Sequence, residues 1–156
     1  MKEELLVATQ DVPASRAEVF VFFSNPANLE VLTPPWLGFR ILSPEPLPVE
    51  EGAVYDYRIL LRGLPLRWRT LIEAWEPRHR FVDRQIQGPY ALWHHTHTFA
   101  DLPGGGTRLT DCVRYRLGFS LLGRMLLPLA RKEVERIFAY RQNVIASRFG
   151  FSQNHG

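Results

Sequence analysis

The sequence predicts an α+β fold: an antiparallel sheet of six or seven strands, covered by one long C-terminal helix, with two short helices after the first strand. Three observations predict it. From about residue 38 to 117 the chain runs in strand-like segments joined by short Gly- and Pro-bearing links, which implies antiparallel pairing. From Ser120 the period changes, and Val134, Ile137, Phe138, Val144 and Ile145 recur at helical spacing. Between Ser15 and Leu32 lie two short apolar segments with helix start and stop signals.

Taken in order, "EELLVATQ" at 3–10 reads as the first strand. Ser15 is placed to cap a helix, with Glu18 three residues on to close a capping box. Val19, Phe20, Phe22 and Phe23 form its apolar face, and Asn25-Pro26 ends it. "PANLEVL" predicts a second short helix, stopped by the prolines of "TPPW". "GFRILS" is a short strand; "AVYDYRILL" and "LPLRWRTLIEAWE" form a hairpin about Arg62-Gly63. "RFVDRQIQ", "YALWHHTHTFA" and "TRLTDCVRYRL" follow, separated by Gly88-Pro89 and by "DLPGGG". Pro128 is expected in the first turn of the long helix or at a kink after a short leading turn, with Gly150 as its stop.

Composition narrows the class. The 156 residues suit one domain, expected to span 1–156, with 46% hydrophobic and 12% aromatic residues to fill a core or line a cavity. The lone Cys112 excludes an internal disulfide and a thiolate zinc cage. No segment reads as a signal peptide or membrane span, so a cytoplasmic protein without membrane insertion is expected. The net charge is +3, with Lys2 and Lys132 the only lysines, and the arginines are scattered rather than gathered in a stripe. Nucleic acid is therefore not an expected partner. "GGG" at 104–106 precedes a strand and lacks the Lys-Ser/Thr of a phosphate loop.

Strand alternation sorts the side chains onto two faces. Arg108, Arg114 and Arg116 must face solvent, which turns Leu109, Asp111, Val113 and Tyr115 inward. The same logic turns Tyr55, Tyr57, Ile59, Leu61, Trp68, Thr70 and Ile72 inward, together with Phe81, Asp83 and Gln85. In "WHHTHTF", His94 falls outside, whereas His95 and His97 share the inner face with Trp93 and Phe99. An inner face carrying two histidines, two aspartates and three tyrosines is costly to bury dry, at roughly 1–3 kcal/mol for each group left unpaired. These groups pair with one another, line a cavity, or both.

The element order, "PANLEVLTP", "FVDRQIQGPY", "WHHTHTF", the Thr107–Tyr115 strand and "IFAYR" resemble the START-like, or SRPBCC, helix-grip superfamily over nearly the whole chain. They are most similar to its polyketide cyclase/dehydrase-like and cell-division-inhibitor-like branches. The resemblance implies a seven-stranded antiparallel sheet wrapped around the C-terminal helix, with two short helices closing the other end of a cavity. It leaves function open among carriers, aromatase/cyclases and partner-binding modules.

Three chemistries are compatible with the inner face. His95, His97 and Asp111 offer two imidazoles and a carboxylate to zinc or iron. The same three could move protons in a cyclase or dehydratase. The reading favoured by the sequence is binding, with no cofactor: His95 and His97 pair with Asp111 as one polar patch in an aromatic-walled cavity that holds a small hydrophobic or amphipathic molecule. The ligand-contacting residues expected are Tyr55, Tyr57, Trp68, Phe81, Asp83 and Gln85 from the first strands of the sheet. Trp93, His95, His97, Phe99, Asp111 and Tyr115 join them from the last two, and Arg141 from the helix. Arg141 is expected to reach Asp111 or an acidic ligand group. "TPPW" and the "LLG" before the long helix are expected at the cavity mouth.

Overall fold

A computed structural model describes residues 2–118 and 120–150; the expected domain extends beyond them at both ends. Seven strands form one sheet: β1 (Glu4–Val12), β2 (Arg40–Ile41), β3 (Val54–Leu61), β4 (Leu64–Glu76), β5 (Arg80–Gln87), β6 (Leu92–Asp101) and β7 (Thr107–Arg116). Their spatial order is β1-β7-β6-β5-β4-β3-β2, and every neighbouring pair is antiparallel. The helices are α1 (Arg16–Ser24), α2 (Leu29–Leu32) and α3 (Leu121–Phe149).

Local chemistry places the boundaries where the sequence puts them. The Ser15 hydroxyl accepts from the Glu18 backbone N–H at 3.3 Å, and the Glu18 carboxylate accepts from the Ser15 backbone N–H at 3.1 Å, completing the capping box. Asn25 ends α1 and caps a single 3-10 turn, Pro26–Asn28, that leads into α2. A second 3-10 turn, Pro35–Leu37, follows the proline stop. In the β3–β4 hairpin, Arg62 and Gly63 have φ of 50° and 81°, the two left-handed positions of a tight two-residue turn.

One expectation is corrected. Pro128 lies in the interior of a helix that runs unbroken from Leu121 to Phe149, neither in its first turn nor after a separate leading turn. The proline denies the Arg124 carbonyl its i+4 donor, and this stretch of α3 is mostly solvent-exposed, where water can substitute. Leu61, expected on the inner face, does line the cavity, at the end of β3 where it is 38% exposed.

The core falls into two main clusters. One packs Phe20, Phe22 and Phe23 of α1 against Phe81, Phe99, Leu109 and Ile145. The other packs Trp68, Trp93, Val113 and Tyr115 against Val134 and Phe138 of α3. No helix among the described residues is long and apolar enough to cross a membrane.

Candidate functional site

Between the two apolar clusters the sheet carries its buried polar groups. Asp83 is on β5, His95 and His97 on β6, Asp111 on β7, and Arg141 on α3 opposite them. The register sets Asp83 opposite His95 and Asp111 opposite His97. The shortest hydrogen bonds run diagonally: His95 Nε2 meets Asp111 Oδ1 at 2.8 Å, and His97 Nε2 meets Asp83 Oδ2 at 2.6 Å. His97 Nδ1 also lies 3.0 Å from Asp111 Oδ1. Arg141 donates Nε–H to Asp111 Oδ2 at 3.3 Å and Nη2–H to Oδ1 at 3.4 Å.

The rings are held by packing. The His95 and His97 centroids are 3.7 Å apart, and Phe81 stacks on His97 at 4.0 Å and 16°. Phe138 meets His95 edge-on at 5.4 Å, while the Arg141 guanidinium lies over Phe23 at 4.9 Å. Each polar group therefore has little rotational freedom.

Electrostatics separates the two histidines. Burial pulls the His95 pKa down, helped by the neighbouring His97, and the aspartates only partly offset this. Burial acts on His97 too, but its bonds to Asp111 and Asp83 outweigh it and hold the pKa above the ordinary imidazole value. Asp83 and Asp111 stay ionised despite burial. For Asp83 the main opposing influences are His95 and His97; for Asp111 the Arg141 charge is foremost and holds the carboxyl well below its usual range. When one of the two imidazoles is protonated, two carboxylates face one imidazolium and one guanidinium, and the cluster is electroneutral.

A cavity of about 820 Å³ opens beside this cluster, between sheet and α3. Its inner end is formed by Thr70, Phe81, Asp83, His95, His97 and Arg141. Its middle is aromatic: Trp68 stands edge-on to Trp93 at 5.3 Å and stacks with Tyr57 at 6.3 Å. The exposed residues Trp36, Leu61, Leu64, Leu126 and Leu129 form the mouth. There Trp36 donates its indole N–H to Glu133 at 2.8 Å beneath the Arg136 guanidinium, 4.6 Å from the ring, tying the "TPPW" segment to α3. From "LLG", Leu121 and Leu122 are exposed, but the mouth is lined one to two turns later, by Leu126 and Leu129.

Of the residues singled out from sequence, Tyr55, Tyr57, Trp68, Phe81, Asp83, Trp93, His95, His97 and Arg141 line the cavity. Gln85, Phe99, Asp111 and Tyr115 do not. Gln85 bonds to both backbone groups of Tyr90, at 2.7 and 3.2 Å, and so braces the β5–β6 turn. Phe99 is 2% exposed because α1 covers its end of the sheet, with Phe20 at 5.2 Å. Tyr115 is sealed into the second core cluster, and Asp111 stands behind the imidazoles rather than in front of them. Tyr57 bonds to Thr70, and burial raises its pKa; Tyr55 bonds to the Pro48 carbonyl, and burial, then Glu50, pushes its pKa up to about 12. Sequence reasoning missed Tyr90, Thr70 and Ile137 in the wall. Thr70 had the right parity and could have been found; Tyr90, in a turn, and Ile137, on a helix, carry no parity signal.

A curved seven-stranded antiparallel sheet gripping one long helix over a cavity is the helix-grip fold of START-like proteins. The chain belongs to the polyketide cyclase/dehydrase and lipid transport family, whose model matches residues 12–139. The aromatase/cyclase ZhuI from Streptomyces sp. R1128 superimposes with a TM-score of 0.71 at 15% identity, over 94% of this chain and 93% of that one. A START superfamily protein from Mycobacterium smegmatis gives 0.64 at 14%, over 92% and 97%. Major latex-like protein 151 from Panax ginseng gives 0.64 at 9%, over 94% and 97%. No curated protein matches the sequence.

Proposed function

We propose that this protein binds a small amphipathic molecule, apolar or aromatic in its body and bearing an oxygen function at one end. The observation that carries this reading is the division of the cavity lining: a mouth of exposed Leu and Trp side chains rimmed by Arg62, Glu133 and Arg136, an aromatic middle, and a buried, hydrogen-bonded charged inner end. Aromatic walls supply most of the affinity, and the Asp83–His97 end orients the ligand. Trp68 Nε1–H supports this assignment, since it is buried in the wall with no hydrogen-bond partner among the described residues and suits an oxygen acceptor on the ligand. The family's description, which couples cyclase/dehydrase with lipid transport, is consistent with lipid-like or polyketide-like occupants.

The test is thermal stabilisation by a panel of fatty acids, sterol-like compounds and polycyclic phenols, repeated on Ile137→Trp, which fills the cavity from α3. The expected result is a Tm rise of several degrees with one class, lost in the variant. A panel with no effect, or equal stabilisation of the variant, would overturn the proposal.

A second reading, a cyclase or dehydratase, is favoured by one observation: the His97–Asp83 pair faces the cavity, and its bonds raise the His97 pKa so that it can hold a proton there. Turnover of a poly-β-ketone analogue that disappears in Asp83→Asn with binding retained would select it; binding without turnover selects the carrier.

A further inference from the structure

We infer that Asp83, His95 and His97 form a binding site for one divalent first-row transition ion at the inner end of the cavity. Their ligand atoms all lie within 4.8 Å of one another. The inference does not depend on what else occupies the cavity.

The tautomers can be worked out from the contacts. His95 Nε2 is 2.8 Å from a carboxylate oxygen of Asp111, so that nitrogen carries the hydrogen. Its other nitrogen, Nδ1, then presents a lone pair toward Asp83 Oδ2, 3.7 Å away. Two lone pairs face each other across a gap too long for a hydrogen bond. Donors bound to one tetrahedral zinc at ~2.1 Å stand about 3.4 Å apart. The gap is therefore within a few tenths of an ångström of a shared ion.

His97 completes the set. Its Nδ1 lies 3.0 Å from Asp111 and its Nε2 2.6 Å from Asp83. An ion takes the place of the hydrogen on Nε2, opening that contact by somewhat less than 1 Å to about 3.4 Å. The far nitrogen of each imidazole then stays within 3.0 Å of the single carboxylate of Asp111, with Arg141 Nη2 also 3.4 Å from that of His97, an outer carboxylate of the kind that orients a metal-bound imidazole and raises its basicity. Arg141, 3.3 Å from Asp111, neutralises that outer carboxylate and leaves the Asp83 charge for the ion.

Phe81 stacked on His97, and the His95 ring tilted against His97 at 3.7 Å, hold the donors in place in advance. Two imidazoles and a carboxylate suit zinc or ferrous iron, and not calcium or magnesium. All three ligands line the cavity, so the remaining coordination position faces it and can take an oxygen of an occupant. With neutral imidazoles the two carboxylates, Arg141 and a divalent ion sum to one positive charge, which favours an anionic oxygen there.

The experiment uses the full chain, stripped with chelator and titrated with ZnCl₂ by calorimetry and with CoCl₂ by visible absorption. One ion per chain is expected, with cobalt d–d bands of a low-coordinate nitrogen/oxygen site. His95→Gln and Asp83→Asn should each weaken binding by 100-fold or more, and His94→Gln, on the outer face, by less than twofold. Asp111→Asn should keep the stoichiometry and lose roughly 10- to 100-fold in affinity. If His95→Gln fails to fold, Asp83→Asn decides, because Asp83 is the more exposed ligand. Absence of binding at 100 μM zinc, or affinity unchanged in Asp83→Asn, would overturn the inference.

Discussion

Replacing Asp111 by Asn tests the polar cluster most directly. Asp111 is 4% exposed and Arg141 6%, so neither charge can turn to water if the other is lost. The carboxylate accepts from His95 at 2.8 Å and from Arg141 at 3.3 and 3.4 Å, and it faces His97 at 3.0 Å. An amide keeps the shape but offers one accepting oxygen, and turns an N–H₂ toward donors. Removing one member of a buried pair costs about 3–5 kcal/mol, mostly the penalty of the stranded partner. That is a large share of the roughly 5–15 kcal/mol that stabilises a domain. The assay is urea unfolding at pH 7 in chelator, run on wild type, Asp111→Asn, Arg141→Met and the double variant. The double variant should cost less than the sum of the single ones by about 2 kcal/mol or more, since it strands no charge. A loss under about 1 kcal/mol for Asp111→Asn, or strict additivity, would refute the description of the cluster as a mutually neutralised unit.

Three further outcomes are expected. The His97 pKa is raised on folding, so its contribution is complete below the unfolded value near 6.5 and is lost as pH rises through the folded one. Chelator-treated wild type should therefore lose stability relative to His97→Gln as pH rises above about 6.5, measured by urea midpoints from pH 6 to 9; parallel curves would contradict this. Trp36→Ala breaks the tie to Glu133 and Arg136 at a partly exposed site, so it should cost no more than about 1 kcal/mol yet speed ligand release, read by stopped-flow displacement. Gly123→Ala puts a Cβ 2.3 Å from the Gly118 carbonyl oxygen, where backbone must move, and should lower stability by about 1–3 kcal/mol in thermal unfolding.

The sequence by itself determined what depends on near neighbours and on period. The Ser15–Glu18 box and the Arg62-Gly63 turn are local chemistry, and the strand arginines oriented each strand because a row of charges cannot be buried. Parity also put His94 outside and His95 and His97 inside and paired them with Asp111 on the next strand, whereas for Arg141 helical spacing left Asp111 and an acidic ligand group both open. Only the tertiary structure decided how that inner face is divided along its length. Parity states which face a residue is on, not what covers it there. Phe99 lies under α1, Tyr115 under α3 and Gln85 on the Tyr90 backbone, whereas Asp83 stands in the open cavity. Diagonal pairing across three strands then placed Asp111 behind the histidines and Asp83 in front of them. Which carboxylate meets the cavity depends on register, ring rotation and the reach of Arg141 together, and none of these is encoded in any one segment of the chain.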